Sequence, residues 1–140
     1  MTGLDRAAYE RYLAAFNARD YDAVADFYVD PPRMEFFGIV ITSREELKAF
    51  YAWLHDNVDE HVRVLNFAAG ETCTAIDAIV RITAKKDLTR EALDAKGATG
   101  FFPIMAGECQ EIRQFIFYTT RGGRIEKVEC ALPPPLDASA

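Results

Sequence analysis

Apolar positions recur every three to four residues along the first 58 positions of the chain and every two residues beyond them. Leu4, Ala8, Tyr12, Ala15 and Phe16 share one face of a helix that Thr2-x-x-Asp5 opens as a capping box and that runs to about Asn17. Asp20 is placed to cap a second, short helix with Tyr21, Val24, Phe27 and Tyr28 on its apolar side, and the Pro31-Pro32 pair ends it. Arg33 to Ile41, rich in Phe, Ile and Val, predicts a strand. Ser43-Arg44-Glu45-Glu46 forms another capping box. The helix it opens carries the stripe Leu47, Phe50, Tyr51, Leu54, His55 and Val58 and ends near Asn57.

The two-residue period then predicts strands at about His61–Ala68, Thr72–Lys85, Glu108–Thr120 and Arg124–Leu132, the last two joined by a Gly122-Gly123 hairpin turn. Lys86 to Gly100 is polar and reads as a long loop able to cover a neighbouring surface. The chain divides into one domain, 1–132, and a proline-rich tail, 133–140, that cannot continue a strand and is expected to be extended or mobile. Helices first and strands afterwards make an α+β fold, a curved, mostly antiparallel sheet with three N-terminal helices on one face. Ile76, Ala78, Val80 and Ile82 form the row expected to face the helices, with Asp77, Ile79 and Arg81 on the other. Around Phe115 and Phe117 both rows carry large groups. A sheet apolar on two sides, with helices for only one, implies a homodimer through the outer face.

Composition narrows the partners. Of 140 residues half are apolar, with ten Phe and six Tyr, so a large interior, an internal pocket or both is expected, with about two-thirds of the surface buried on folding. Sixteen Lys and Arg against 22 Asp and Glu give a net charge of −6 without a basic cluster, which argues against a nucleic-acid partner. No apolar run reaches the ~20 residues needed to span a bilayer, and the N-terminus lacks the basic-then-apolar layout of a secretory leader. Cys73, Cys109 and Cys130 are odd in number and lack metal-ligand spacing, so a reducing cytoplasm is expected. No metal or cofactor is implied. His55 and His61 fall on a helix and a strand without ligand spacing, and Gly97 and Gly100 do not precede a helix as a phosphate loop would.

The stretch Arg11 to Val24 (RYLAAFNARDYDAV), followed by Asp26-Phe27-Tyr28-Val29-Asp30, resembles the opening of the nuclear transport factor 2-like superfamily, which includes ketosteroid isomerases and SnoaL-like polyketide cyclases. Phe50-Tyr51-Ala52 and Gly122-Gly123-Arg124-Ile125 also match, and the similarity runs from about Leu4 to Leu132. The resemblance implies a cone-shaped half-barrel with an apolar pocket between sheet and helices, and commonly a dimer. Tyr12 falls on the isomerase's oxyanion-hole tyrosine, with Tyr28 and Tyr51 where further tyrosines support it. Phe36 and Phe115 stand where the isomerase has its general-base aspartate and its protonated aspartate, so steroid isomerisation by that mechanism is not expected.

A proton acceptor must then come from elsewhere. His55, at the edge of the apolar stripe four residues after Tyr51, suits a base near neutral pH; alternatively it is a helix-end histidine paired with Asp59 or solvated. Glu111 and Arg113 share the row of Phe115 and either point into the pocket mouth or form an ordinary ion pair. Asp77 and Glu35 read as solvent or interface residues. The tyrosines themselves either floor a pocket or fill a core. The expected lining comprises Tyr12, Phe16, Tyr28, Met34, Phe36, Phe50, Tyr51, Leu54, Ile76, Ala78, Val80, Phe115, Phe117, Val128 and Cys130. The resemblance implies a small apolar, oxygen-bearing ligand of polyketide, terpenoid or steroid type, with cofactor-free isomerase, cyclase or dehydratase chemistry. In that chemistry Tyr12 donates to the reacting oxygen and His55 accepts the proton. The alternative is a non-catalytic binding or dimerisation module of the same fold.

Overall fold

The computed structural model describes residues 3–134; Thr2 and most of the proline-rich tail lie outside them. Helix α1 (Arg6–Asn17) is capped by Asp5, whose carboxylate accepts from the Ala8 amide, and it buries Tyr9, Tyr12 and Phe16. Helix α2 (Tyr21–Asp26) is capped by Asp20 in the same way, and α3 (Arg44–Asn57) by Ser43. Glu46 reaches back to the Thr42 amide, one position before the reach of a standard capping box.

The second helix stops earlier than its apolar spacing predicts. Tyr28 opens strand β1 (Tyr28–Phe36), and Pro31 and Pro32 lie inside that strand instead of ending a helix. They are tolerated because they fall between Tyr28 and Arg33, where pairing with the neighbouring strand shifts register and no ladder hydrogen bond is asked of them. The strand expected over Arg33–Ile41 is two strands: β1 turns through Phe37 (φ 50°) and Gly38 (φ 89°) into β2 (Ile39–Ile41). Two successive positive φ angles match the twist of a two-residue hairpin, and glycine adopts them at no steric cost.

Strands β3 (Val58–Ala69), β4 (Cys73–Ala84), β5 (Cys109–Arg121) and β6 (Arg124–Ala131) follow. The six-stranded sheet runs β2-β1-β6-β5-β4-β3, antiparallel throughout except where β1 and β6 pair parallel, and it does not close into a barrel. The fold is α+β, with α1 and α3 packed over β3 and α3 also meeting β1. The connection from β4 to β5 is more ordered than its polar sequence predicts. It holds helix α4 (Arg90–Ala95), capped by Thr89, and a bridge between Leu88 and Ile104; Leu88, Leu93, Ala98 and Ile104 are buried. Among the described residues no helix is long and apolar enough to cross a membrane.

Candidate active site

A cavity of about 100 Å³ lies between the helices and the inner face of the sheet. Its deep end is built of phenols. Tyr9 and Tyr12 of α1, Tyr28 of β1, Tyr51 of α3 and Tyr118 of β5 all line it, and each is 8 % exposed or less. Phe16, Met34, Phe36, Leu54, Val58, Val62, Val80, Ile116 and Val128 supply apolar wall, and the rim is formed by Gly100, Phe101 and Phe102, the last of them exposed. The segment after α4 thus covers the cavity.

Cross-strand register decides which side chains reach this space. Residues directly opposite in an antiparallel pair share a face. Ile76 pairs with Ile116, Ala78 with Gln114 and Val80 with Ile112, so the inward row of β4 brings Gln114, Ile116 and Tyr118 inward on β5. Phe115 and Phe117 therefore face outward, 44 % and 45 % exposed, and the expectation that they line the pocket is corrected. The side chain that enters the cavity beside them is Gln114. Glu111 and Arg113 share the outward row. Arg113 makes a two-pronged ion pair with Asp77 (Nε–Oδ1 3.0 Å, Nη2–Oδ2 2.9 Å) and stacks on Phe115, while Glu111 stands opposite Arg81. Ile76, Ala78 and Phe50 are buried in the core packed around the cavity, not on its wall; Phe50 stands behind Phe36 and Phe101. Cys130 joins the lining beside Val128, but Leu132 is exposed.

The phenols form two pairs and one single group. Tyr12 and Tyr28 hydroxyls lie 2.7 Å apart and those of Tyr9 and Tyr118 2.8 Å apart. Each hydroxyl carries one hydrogen, so in each pair one is used between the partners and one is left over. The Tyr51 hydroxyl has no partner among the described residues. Five phenols thus keep three uncommitted O–H donors at the closed end of an apolar space. Burial pushes the pKa of all five above the ordinary phenol value, so they act as neutral donors and not as bases. Burial also pushes the Cys130 thiol up to about 12, which leaves it protonated and unreactive.

His55 does not line the cavity. It is buried behind the wall between the rings of Phe16, Tyr21 and Tyr51, with both nitrogens engaged: Nδ1 lies 2.8 Å from the Tyr21 hydroxyl and Nε2 2.8 Å from Glu60 Oε1. Its acidic partner is Glu60, not Asp59. Glu60 itself lines the cavity from the start of β3, and its Oε2 has no partner among the described residues. The side chain is 13 % exposed, so the carboxylate belongs to the wall and not to the surface.

Sequence reasoning missed Tyr9, Tyr118, Gln114 and Glu60. Tyr9 was legible, lying one helical turn before Tyr12. Glu60 was legible in part, because Val58, Glu60, Val62 and Val64 alternate, but the strand was expected to begin at His61. Tyr118 and Gln114 sit in a strand with bulky groups in both rows, and only pairing with β4 separates the rows. Among the described residues no three His, Cys, Asp or Glu side chains converge on one point.

Comparisons with known proteins agree with this architecture. Among curated proteins no sequence match is found. Solved structures do match. A SnoaL-like polyketide cyclase from Agrobacterium tumefaciens superposes with a TM-score of 0.69 at 15% identity, over 89% of this chain and 87% of that one. A nuclear transport factor 2-like protein of unknown function from Burkholderia pseudomallei gives 0.68 at 13%, over 89% and 87%. An LEH-like epoxide hydrolase from M. tuberculosis gives 0.65 at 13%, over 89% and 79%. At such identities the likeness is one of fold. A family model described as SnoaL-like domain matches residues 9–128, and the chain therefore belongs to the SnoaL-like domain family.

Proposed function

We propose that the protein binds a small apolar molecule bearing an oxygen acceptor, and acts on it without a cofactor as an isomerase, cyclase or dehydratase. The observation that carries this reading is the set of three uncommitted phenolic O–H donors in an otherwise apolar cavity. Buried donors are costly to leave unmet, and a carbonyl, ether or epoxide oxygen meets them. Tyr12, paired with Tyr28, is the donor to the reacting oxygen: charge that develops there spreads over two linked hydroxyls in a water-poor site. Tyr51 and Gln114 add further polar contacts. The fold neighbours named as a polyketide cyclase and an epoxide hydrolase support chemistry of this class.

Size restricts the ligand. An apolar cavity of roughly 150 Å³ accommodates benzene. At about 100 Å³ this one is smaller, so it seats only the oxygen-bearing edge of a ring of a terpenoid-, polyketide- or steroid-like molecule, and the rest of the body extends past Gly100–Phe102.

A second reading, a binding module without catalysis, draws on Phe36 and Phe115, which the resemblance sets where the isomerases of this superfamily carry aspartates. The outer sheet face, with Phe115 and Phe117 exposed, is in our reading the interface of a two-fold homodimer. The three free cysteines fit a reducing, cytoplasmic setting.

The test is a thermal-shift screen of compact cyclic ketones, ethers and phenols, followed by calorimetry on Tyr12→Phe. Stabilisation by oxygenated compounds over matched hydrocarbons, with Tyr12→Phe weakening affinity by about 1–2 kcal/mol, supports the reading. Saturable binding that ignores the ligand's oxygen, or an unchanged affinity in the variant, overturns it.

A further inference from the structure

The position vacated by the isomerase's aspartates leaves open where a proton goes, and the cavity wall holds one group able to take it. We infer that Glu60 is the proton acceptor of this site and that His55 and Tyr21 position it; a compact ketone with a C–H beside its carbonyl serves as the carbon-acid probe of that role. This rests on the phenol-floored ligand site proposed above.

The chemistry follows from who is committed and who is not. His55 Nε2 is 2.8 Å from Oε1 of Glu60, and Nδ1 is 2.8 Å from the Tyr21 hydroxyl. With Nε2–H donating to the carboxylate, Nδ1 accepts from Tyr21, so a single tautomer satisfies the whole chain. One carboxylate oxygen is thereby fixed. The other, Oε2, has no partner among the described residues, and Glu60 is part of the cavity lining. The neutral phenols opposite cannot take a proton, and the Cys130 thiol is already protonated, which leaves Glu60 as the acceptor.

The step balances within the cavity. Oε2 takes the proton from the carbon next to the carbonyl, the C–H electron pair becomes a C=C bond, and the carbonyl π pair moves onto oxygen, where a phenolic O–H holds it. Return of a proton from Glu60 to carbon reverses the electron movement. No oxidant, reductant or metal enters. His55 touches no ligand in this scheme and is a positioning residue.

The charged and titratable groups that face Glu60 come from every element around it. They are His55 and Tyr51 of α3, Tyr21 of α2, Tyr12 of α1, Cys130 of β6, and Arg19, whose guanidinium donates to the Glu60 backbone carbonyl at 3.0 Å. Among the described residues His55 is the side chain that bonds the carboxylate directly, so it is the one whose removal most frees the carboxylate to turn.

The experiment follows hydrogen–deuterium exchange at the α-carbon of cyclohexanone by proton NMR in heavy water, with binding measured separately by saturation transfer. The expected result is catalysed exchange that saturates with cyclohexanone concentration. Glu60→Gln should cut the catalysed rate by about 100-fold or more, with Glu60→Asp retaining more rate than Glu60→Gln. His55→Phe and Tyr21→Phe are expected to lower the exchange rate at saturating cyclohexanone while leaving its affinity unchanged, His55→Phe by more, because the carboxylate loses the donor that fixes it. A purely structural histidine would change the melting temperature and leave the saturated exchange rate of the folded protein in place. Circular dichroism checks that each variant folds. Saturable cyclohexanone binding without exchange, or exchange that survives Glu60→Gln, overturns the role of Glu60 while leaving the ligand site standing. Absence of binding removes both.

Discussion

The hydroxyls of Tyr12 and Tyr28 lie 2.7 Å apart beneath the cavity, joining the middle of α1 to the first residue of β1. The pair exists because α2 ends at Asp26, two residues before Tyr28, so that Tyr28 enters the sheet and turns toward α1. Tyr28→Phe removes one buried hydrogen bond and is expected to cost about 1 kcal/mol, read as a drop of about 3–5 °C in melting temperature. A double cycle with Tyr12→Phe should recover a coupling of similar size. Additive single variants would show that the two hydroxyls do not support each other.

Tyr51 is the contrasting case. Its hydroxyl bonds nothing among the described residues, so Tyr51→Phe should leave stability within about 0.5 kcal/mol of the parent. Affinity for an oxygenated cavity ligand should fall by about 1 kcal/mol, measured by calorimetry. A large loss of stability with unchanged affinity would place this phenol in the core and not in the site.

Asp77 and Arg113 form an ion pair on the outer sheet face, and hydrogen bonding to Arg113 holds the Asp77 carboxyl below the ordinary aspartate range. A carboxyl whose folded-state pKa is depressed stabilises the fold above its unfolded pKa of about 3.9, and that stability is lost as pH falls through the folded value. Asp77→Asn should therefore be less stable than the parent near neutrality. The gap should close on acidification below about pH 4, followed by denaturant titration at several pH values. A gap independent of pH would assign the loss to packing.

Phe115 and Phe117 stand side by side in the outward row of β5, both nearly half exposed. If they seal the proposed dimer, light scattering should report about twice the chain mass for the parent. A variant with Phe115→Asp and Phe117→Lys should report one chain mass, with the cavity intact, since neither side chain lines it. A monomeric parent withdraws the dimer.

The capped helices were legible because their signals are local. Asp20 and Ser43 each bond an amide three residues on, and no distant contact is needed to see it, whereas α1 is capped by Asp5, which the Thr2-x-x-Asp5 box had set inside the first turn. The same holds for the period-two strands and for the membership of Tyr12, Phe16, Met34, Phe36, Tyr51, Leu54, Val80, Val128 and Cys130 in an inward-facing set, since each belongs to a face its own segment defines. The Phe37-Gly38 turn was missed because the apolar run continues across it. The prolines misled because they end a helix in isolation but cost a strand nothing where its pairing shifts register.

The amino-acid order by itself determined the element types, the α+β class and a phenol-rich helix face, because these depend on neighbours within a turn or two. Only the tertiary structure decided that Gln114 and Tyr118 point in while Phe115 and Phe117 point out. It also placed Glu60, not His55, against the cavity, with His55 locked behind it between Tyr21 and that carboxylate. Those outcomes rest on strand register and on helices meeting strands tens of residues away. A shift of one residue in the pairing of β5 would reverse Gln114, Tyr118, Phe115 and Phe117 together.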